Sequence, residues 1–154
     1  MNYKMRRTER RLEQAEAENI LRENQYGVLS TVGSDGNPYG VPLSYVFREN
    51  CLYFHCATEG RKIENIGFCN RASFCVVGKT ELLPSQFSTR YESVIAEGYV
   101  HELTADEKIS ALSEIVEKYA PEHREKGAVY IQNAKARVRV FCMEIENLSG
   151  KARR

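Results

Sequence analysis

The residues best suited to chemistry lie in one stretch, CLYFHCATEGRKIENI, from Cys51 to Ile66. His55 and Cys56 close a strand-like run, a short polar loop ends at Gly60, and Arg61 and Lys62 open a helical pattern. A helix N-terminus carries unpaired N–H groups and a partial positive charge, so it attracts anions. A glycine there lets a ligand approach the backbone closely. Arg61 can grip a phosphate with two parallel bonds, and Lys62 adds a point charge. Cations are disfavoured in a first helical turn. The pair therefore points to a bound anion that balances it, with two solvated surface cations as the alternative. Neighbours along a strand face opposite ways, so His55 and Cys56 cannot both face one pocket. His55, with an ordinary pKa of about 6.5, can act as a proton donor or as a simple hydrogen-bond partner.

These residues need a scaffold, and the rest of the chain outlines one. Thr8 to Asn24 lacks helix breakers and carries Leu12, Ala15, Ala17, Ile20 and Leu21 in a loose apolar stripe, which predicts a helix behind a fraying start, with a solvated arm marked by its Arg and Glu residues as the alternative. YGVLSTV (26–32) and YGVPLSYVFR (39–48) read as strands on either side of the turn GSDGNP. Pro42 cannot donate to a ladder, so its strand belongs at an edge or carries a bulge. Glu49–Asn50 turns the chain into CLYFHC, which completes an expected antiparallel meander of three strands. Arg61 to Cys69 predicts a short helix and Ala72 to Thr80 a strand, while ELLPSQFSTR reads as irregular. Tyr91 to Glu102 is a long strand with a bulge or bend at Gly98. Thr104 and Glu107 have capping-box spacing, and Ile109, Leu112, Val116 and Tyr119 share a helical face that Pro121 ends. Residues 120–136 are weakly periodic and receive no assignment. Ala136 to Asn147 alternates as the last strand, with a slip near Met143, and LSGKARR reads as a short basic tail. Six strands, mostly antiparallel, predict a small β-barrel with helices on its outside or ends.

Composition narrows the function classes. The 154 residues suit one domain, with 42% hydrophobic and 28% charged residues. With 22 basic and 21 acidic residues the net charge is +1, which argues against a nucleic-acid partner. The basic run MRRTERR is then a solvated surface. No apolar run approaches the roughly 20 residues of a membrane span, and no apolar segment follows the basic start as a secretory signal requires. The expectation is a cytoplasmic protein without membrane contact. The five cysteines contain no C-x-x-C pair and the three histidines are far apart, so no metal site is expected. Cys69, Cys75 and Cys142 read as small apolar fillers in a reduced compartment.

The order of motifs carries a resemblance. PYGVPLSYVF, LYFHCATEGRKIENI, NRASFCVVG and RYESVIAEGYV follow one another as in the FMN-binding split-barrel group related to pyridoxamine 5'-phosphate oxidase. Within it the chain most resembles the nitroimidazole-resistance (Nim-type) branch, over roughly Tyr26 to Asn147. The resemblance implies one domain, 1–154, with an N-terminal helix about 8–24 and a six-stranded antiparallel split β-barrel about 26–147. It implies a homodimer with FMN in clefts at the interface. Val41, Pro42 and Leu43 would run past the flavin, His55 and Cys56 would lie near its ribityl and phosphate side, and Gly60, Arg61 and Lys62 would hold the phosphate. Contacts from the second subunit would come from around Arg90 and Tyr91. NADH or NADPH would reduce the flavin, which would pass electrons to a small acceptor such as a nitroaromatic. His55 is the candidate catalytic residue. The alternative is a module that holds flavin or haem without turnover, with His101 as the candidate haem ligand. True pyridoxamine phosphate oxidases carry a C-terminal Trp and an Arg-x-His pair. This chain has no Trp and its last histidine is His123, so that substrate is not expected.

Overall fold

The computed structural model describes residues 4–154; residues 1–3, where the expected fraying start begins, lie outside the described residues. Among the described residues, seven strands form one antiparallel sheet. They are β1 (Tyr26–Val32), β2 (Pro38–Ser44), β3 (Val46–Arg48), β4 (Cys51–Cys56), β5 (Arg71–Leu83), β6 (Ser88–Leu103) and β7 (Arg139–Arg153). Their order across the sheet is β2-β1-β5-β6-β7-β4-β3. Four α-helices accompany them: α1 (Gln14–Glu23), α2 (Arg61–Phe68), α3 (Ala105–Tyr119) and α4 (Arg124–Ala134). Strands from both ends of the order share one core, so the sheet curls into a split barrel.

The strand count differs from six because the expected second strand divides at Tyr45. Its first half pairs only with β1, and its second half pairs only with β4 at the opposite edge. The expected meander is therefore two hairpins on opposite edges. Pro42 lies in β2, an edge strand, where a missing N–H costs nothing. The β3–β4 turn puts Glu49 and Asn50 at φ 49° and 63°, the left-handed pair that suits the twist of a tight hairpin.

Tyr45 itself is fully buried, 4.9 Å edge-on from the Phe74 ring. Its hydroxyl donates to the Leu21 carbonyl at 2.7 Å. Its backbone lies outside any ladder and must find partners elsewhere. α3 supplies them: the Tyr45 N–H donates to the Tyr119 hydroxyl at 2.9 Å, and the Tyr45 carbonyl accepts from Lys118 Nζ at 3.0 Å. Burial pulls the Lys118 pKa down to about 8.

Two apolar layers follow from the alternation. Leu29, Phe54, Phe74, Val76, Val94 and Met143 fill the barrel, which Ile20 and Leu21 of α1 help to close. On the other side of the sheet, Leu103, Val140 and Cys142 meet Leu112 of α3 and Ile131 of α4. β7 is sandwiched between these layers, so Val140 to Met143 are all buried and alternation is lost there. This is the slip seen in the sequence.

Other elements are longer or shorter than their patterns. The N-terminal segment does not form one helix over 8–24. Thr8–Arg10 is a single 3-10 turn, Arg11 bridges Lys151, and the Leu12 N–H donates to the Gly150 carbonyl at 3.0 Å. This stretch covers the edge of β7 beyond the end of β4, and α1 starts after it. The tail LSGKARR is the second half of β7. ELLPSQFSTR is not irregular: Thr80–Leu83 pair with Ser88–Tyr91 as an arm tipped by Pro84–Gln86. Thr104 does precede α3, but no capping bond forms; Ala105 has φ 49°, which turns the first residue out of helical geometry. The unassigned 120–136 contains a 3-10 turn and α4.

The expected irregularity at Gly98 is a bulge between β6 and β7. A Cβ there would lie 1.8 Å from the Glu144 carbonyl oxygen. Gly98→Ala must push two central strands apart and is expected to cost about 2–3 kcal/mol. Urea unfolding measures this directly; wild-type stability would show that the two strands do not touch there.

Candidate functional site

The β4–α2 connection positions the candidate site. β4 delivers the chain to Gly60, the residue before α2, with φ 133° and ψ 165°. Side chains rarely adopt that backbone, and a Cβ there would meet nothing within 4 Å. The glycine is thus required by its conformation, and the space before the helix is open. No side chain caps α2. Its first bonded N–H groups are those of Ile63 and Glu64, which donate to the Gly60 carbonyl. The N–H groups of Arg61 and Lys62 are left free for a ligand.

Arg61 and Lys62 form no ion pair among the described residues. Their side chains diverge. The Arg61 guanidinium sits over the Tyr39 ring, 4.6 Å from its centroid. Its charge also helps to lower the Asp35 pKa, a shift due first to hydrogen bonds from the Asn37 backbone and side chain. Lys62 lies toward Cys56: burial raises the Cys56 pKa, and the Lys62 charge opposes that rise. Cys56 is a buried, protonated thiol of the barrel core.

A cavity of about 400 Å³ opens beside Arg61. The β1–β2 turn forms one wall with Gly33, Ser34 and Asp35; α2 forms the other with Arg61, Glu64, Asn65 and Phe68. Asn65 locks the walls together, because its buried amide donates to the Thr31 hydroxyl of β1 at 3.0 Å.

Of the residues expected from the sequence, Arg61 lines this cavity, and Gly60 and Lys62 stand beside it at the helix start. On β2, Val41 and Leu43 pack against the barrel core, while Pro42 points the opposite way. Only the backbone of this strand can offer one ligand a continuous edge. His55 and Cys56 point to opposite faces. Cys56 is in the core; His55 is exposed and pairs with Val140 on the side that α3 and α4 cover further along. His55 does not line the cavity. His101 is elsewhere again, exposed on β6 in a second cavity of about 560 Å³ between α3 and the sheet. Arg90 is paired with Glu81 on the arm. Among the described residues no three His, Cys, Asp or Glu side chains gather as metal ligands.

Tyr39, Asp35, Asn65 and Phe68 were not apparent from the sequence. GSDGNP reads as turn chemistry and nothing more, because only the packing of α2 on β1 makes that turn a wall.

The profile of the family described as pyridoxamine 5'-phosphate oxidase matches residues 13–152. The chain belongs to this family. Solved structures with the same fold include a proposed 5-nitroimidazole antibiotic resistance protein of Bacteroides thetaiotaomicron, 23% identical with a TM-score of 0.77, over 92% of this chain and 86% of that one. An FAD-binding protein of Mesorhizobium loti is 27% identical with a TM-score of 0.63, over 93% of this chain and 95% of that one. An FAD- and haem-binding protein of Mycobacterium smegmatis is 18% identical with a TM-score of 0.74, over 91% of this chain and 71% of that one. No curated protein sequence matches the chain. Among the described residues no helix is long and apolar enough to cross a membrane.

Partial desolvation lowers the His55 pKa from its ordinary value. The folded chain therefore holds this proton less tightly than the unfolded chain. The imidazole is expected to be neutral at pH 7, and stability present above the unfolded value of about 6.5 is lost as pH falls from there through the lower folded value. An NMR titration of the His55 ring should show a midpoint below that value; a midpoint above it would contradict the placement.

Proposed function

We propose that the chain is an FMN-dependent oxidoreductase that works as a homodimer, takes electrons from NADH or NADPH and passes them to a small acceptor such as a nitroaromatic. The carrying observation is the start of α2: an open Gly60, two free backbone N–H groups, and two cations that form no ion pair among the described residues. That donor set fits a phosphate ester. Family membership and the flavin-binding proteins of like fold support a flavin as its bearer. The likeness to the Bacteroides protein is the support for a nitroaromatic acceptor.

Bound FMN would supply the redox chemistry. Gly60, Arg61 and Lys62 would hold its phosphate. β2 is an edge strand, so alternate N–H and C=O groups on its outer side lack ladder partners. Val41 to Leu43 would run past the ring system with the Pro42 carbonyl as their outward group, because Pro42 has no N–H and the polar groups of Val41 and Leu43 turn toward β1. Cys56 would border the site as an uncharged thiol. The low pKa of His55 suits a hydrogen-bond partner at neutral pH better than a proton donor. His55 remains the candidate for contact with the reacting centre if the site extends around the strand end.

Haem is the second reading, because some proteins of like fold bind it. Here the charge argues against it. The cavity that holds His101 is bordered by Glu49, Asp106, Glu107, Glu114 and Glu144, against Arg48. Haem carries two carboxylates, which that ring would repel.

The purified protein should show flavin absorption that bleaches when a nicotinamide donor is added without oxygen. Arg61→Ala with Lys62→Ala should lose at least about 100-fold in FMN affinity, the worth of two charge-assisted contacts. Unchanged affinity would remove the phosphate assignment, and a Soret band would replace the flavin reading.

A further inference from the structure

Arg61 and Asn65 stand about one turn apart on α2, so their side chains share a face of the helix. Both reach the β1–β2 hairpin, and both lead to Tyr39. The Arg61 guanidinium rests over the Tyr39 ring, 4.6 Å from its centroid. Asn65 donates to the Thr31 hydroxyl at 3.0 Å, and that hydroxyl donates to the Tyr39 carbonyl at 3.5 Å. Asn65 and Thr31 are each 5% exposed, so this run of bonds is shielded from water. The ring and the carbonyl of one residue are thereby tied to successive turns of α2. Tyr39 pairs with Thr31 across the hairpin and shares the half-buried face of β2 with Val41 and Leu43. Its ring stands between Arg61 and the strand along which a flavin would run.

Arg61 needs such support. In a first helical turn it meets the like-signed end of the helix dipole. It is exposed, and a long side chain on a surface samples many rotamers. The face of a tyrosine ring carries negative charge and holds a cation in place. Asp35 supplies opposite charge nearby, but Asn37 engages both of its oxygens, at 3.0 and 2.6 Å. A guanidinium stacked on a ring gives up its face, while its N–H donors, which lie in its plane, stay available. Among the described residues no side-chain hydrogen bond or ion pair uses those of Arg61. The fork is held in place and its donors are unused.

Lys62 turns the other way, toward Cys56. The two cations therefore differ in kind. Lys62 is a point charge on a flexible stem, and Arg61 is a fork fixed before a ligand arrives. Such preorganisation raises affinity, because the ordering cost is met during folding.

We propose that Tyr39 is a positioning residue of the phosphate site: its ring presents the Arg61 fork to the phosphate, and so sets how strongly the chain prefers a flavin phosphate to the unphosphorylated flavin nucleoside. The inference rests on the flavin-phosphate reading of α2. Tyr39 acts through Arg61 and need not touch the phosphate. Its contribution is absent from the local sequence pattern, because ring and guanidinium meet only when α2 packs on the hairpin.

The test reads one ratio, the riboflavin dissociation constant over that of FMN, measured by fluorescence quenching on the full-length apoprotein. Tyr39→Leu is expected to lower the ratio about tenfold, and Tyr39→Phe, which keeps the ring, to hold it within about twofold of wild type. In an Arg61→Ala background Tyr39→Leu should lower it no further. Were Tyr39 only a filler at the sheet edge, Leu would shift both dissociation constants together and leave the ratio intact; that result overturns the proposal. A tenfold fall that persists in the Arg61→Ala background overturns it as well. Tyr39→Met serves the same comparison if circular dichroism shows that the Leu variant does not fold. A wild-type ratio near one overturns the flavin-phosphate reading together with this inference. A wild-type ratio of about 100 that Tyr39→Leu leaves unchanged overturns this inference alone.

Discussion

The structure depends on how the chain crosses from one edge of its sheet to the other at Tyr45. A single buried residue separates β2 from β3, and the two strands lie at opposite ends of the strand order. Its backbone polar groups cannot join a ladder, so leaving them unpaired in the interior would cost several kcal/mol. Tyr119 and Lys118 of α3 pair them instead. Lys118 also donates to the Asn24 carbonyl at 2.6 Å, which ties α1 to the same point. A half-buried ammonium is a poor choice in isolation. Here it satisfies two carbonyls and lies 4.2 Å from the Tyr45 ring centroid.

The crossing sets both sides of the candidate site. Upstream of it, β2 carries Tyr39; downstream, β3 and β4 lead to Gly60 and α2. Arg61 then meets Tyr39 across the gap, and Asn65 binds Thr31. A phosphate-type helix start is therefore fastened to the β1–β2 turn from two directions. This rigidity is what a cofactor site needs if it is to place a ring system repeatedly in one pose.

Local patterns were legible where local physics decides the outcome. The turn at GSDGNP, the edge position of Pro42, the bulge at Gly98 and the helix start at Gly60 each follow from one residue's backbone chemistry. The split at Tyr45 was not legible, because YGVPLSYVFR is a good strand pattern throughout and the division comes from tertiary partners on α3. The tail LSGKARR reads only as short and basic because its pairing with β6 and its cover by residues 11–12 are both long-range. At the site, the motif Gly60–Arg61–Lys62 was visible, while the opposing wall was not. His55 and Cys56 could be assigned to opposite faces from alternation alone, and the structure sends Cys56 to the core.

The central claim is that α2 opens on a phosphate. Titration of the apoprotein with FMN and with riboflavin, which share a ring and differ in the phosphate, tests it most directly. FMN is expected to bind about 100-fold more tightly or better, from two charge-assisted contacts and the free N–H groups. Equal affinity for the two would contradict the account.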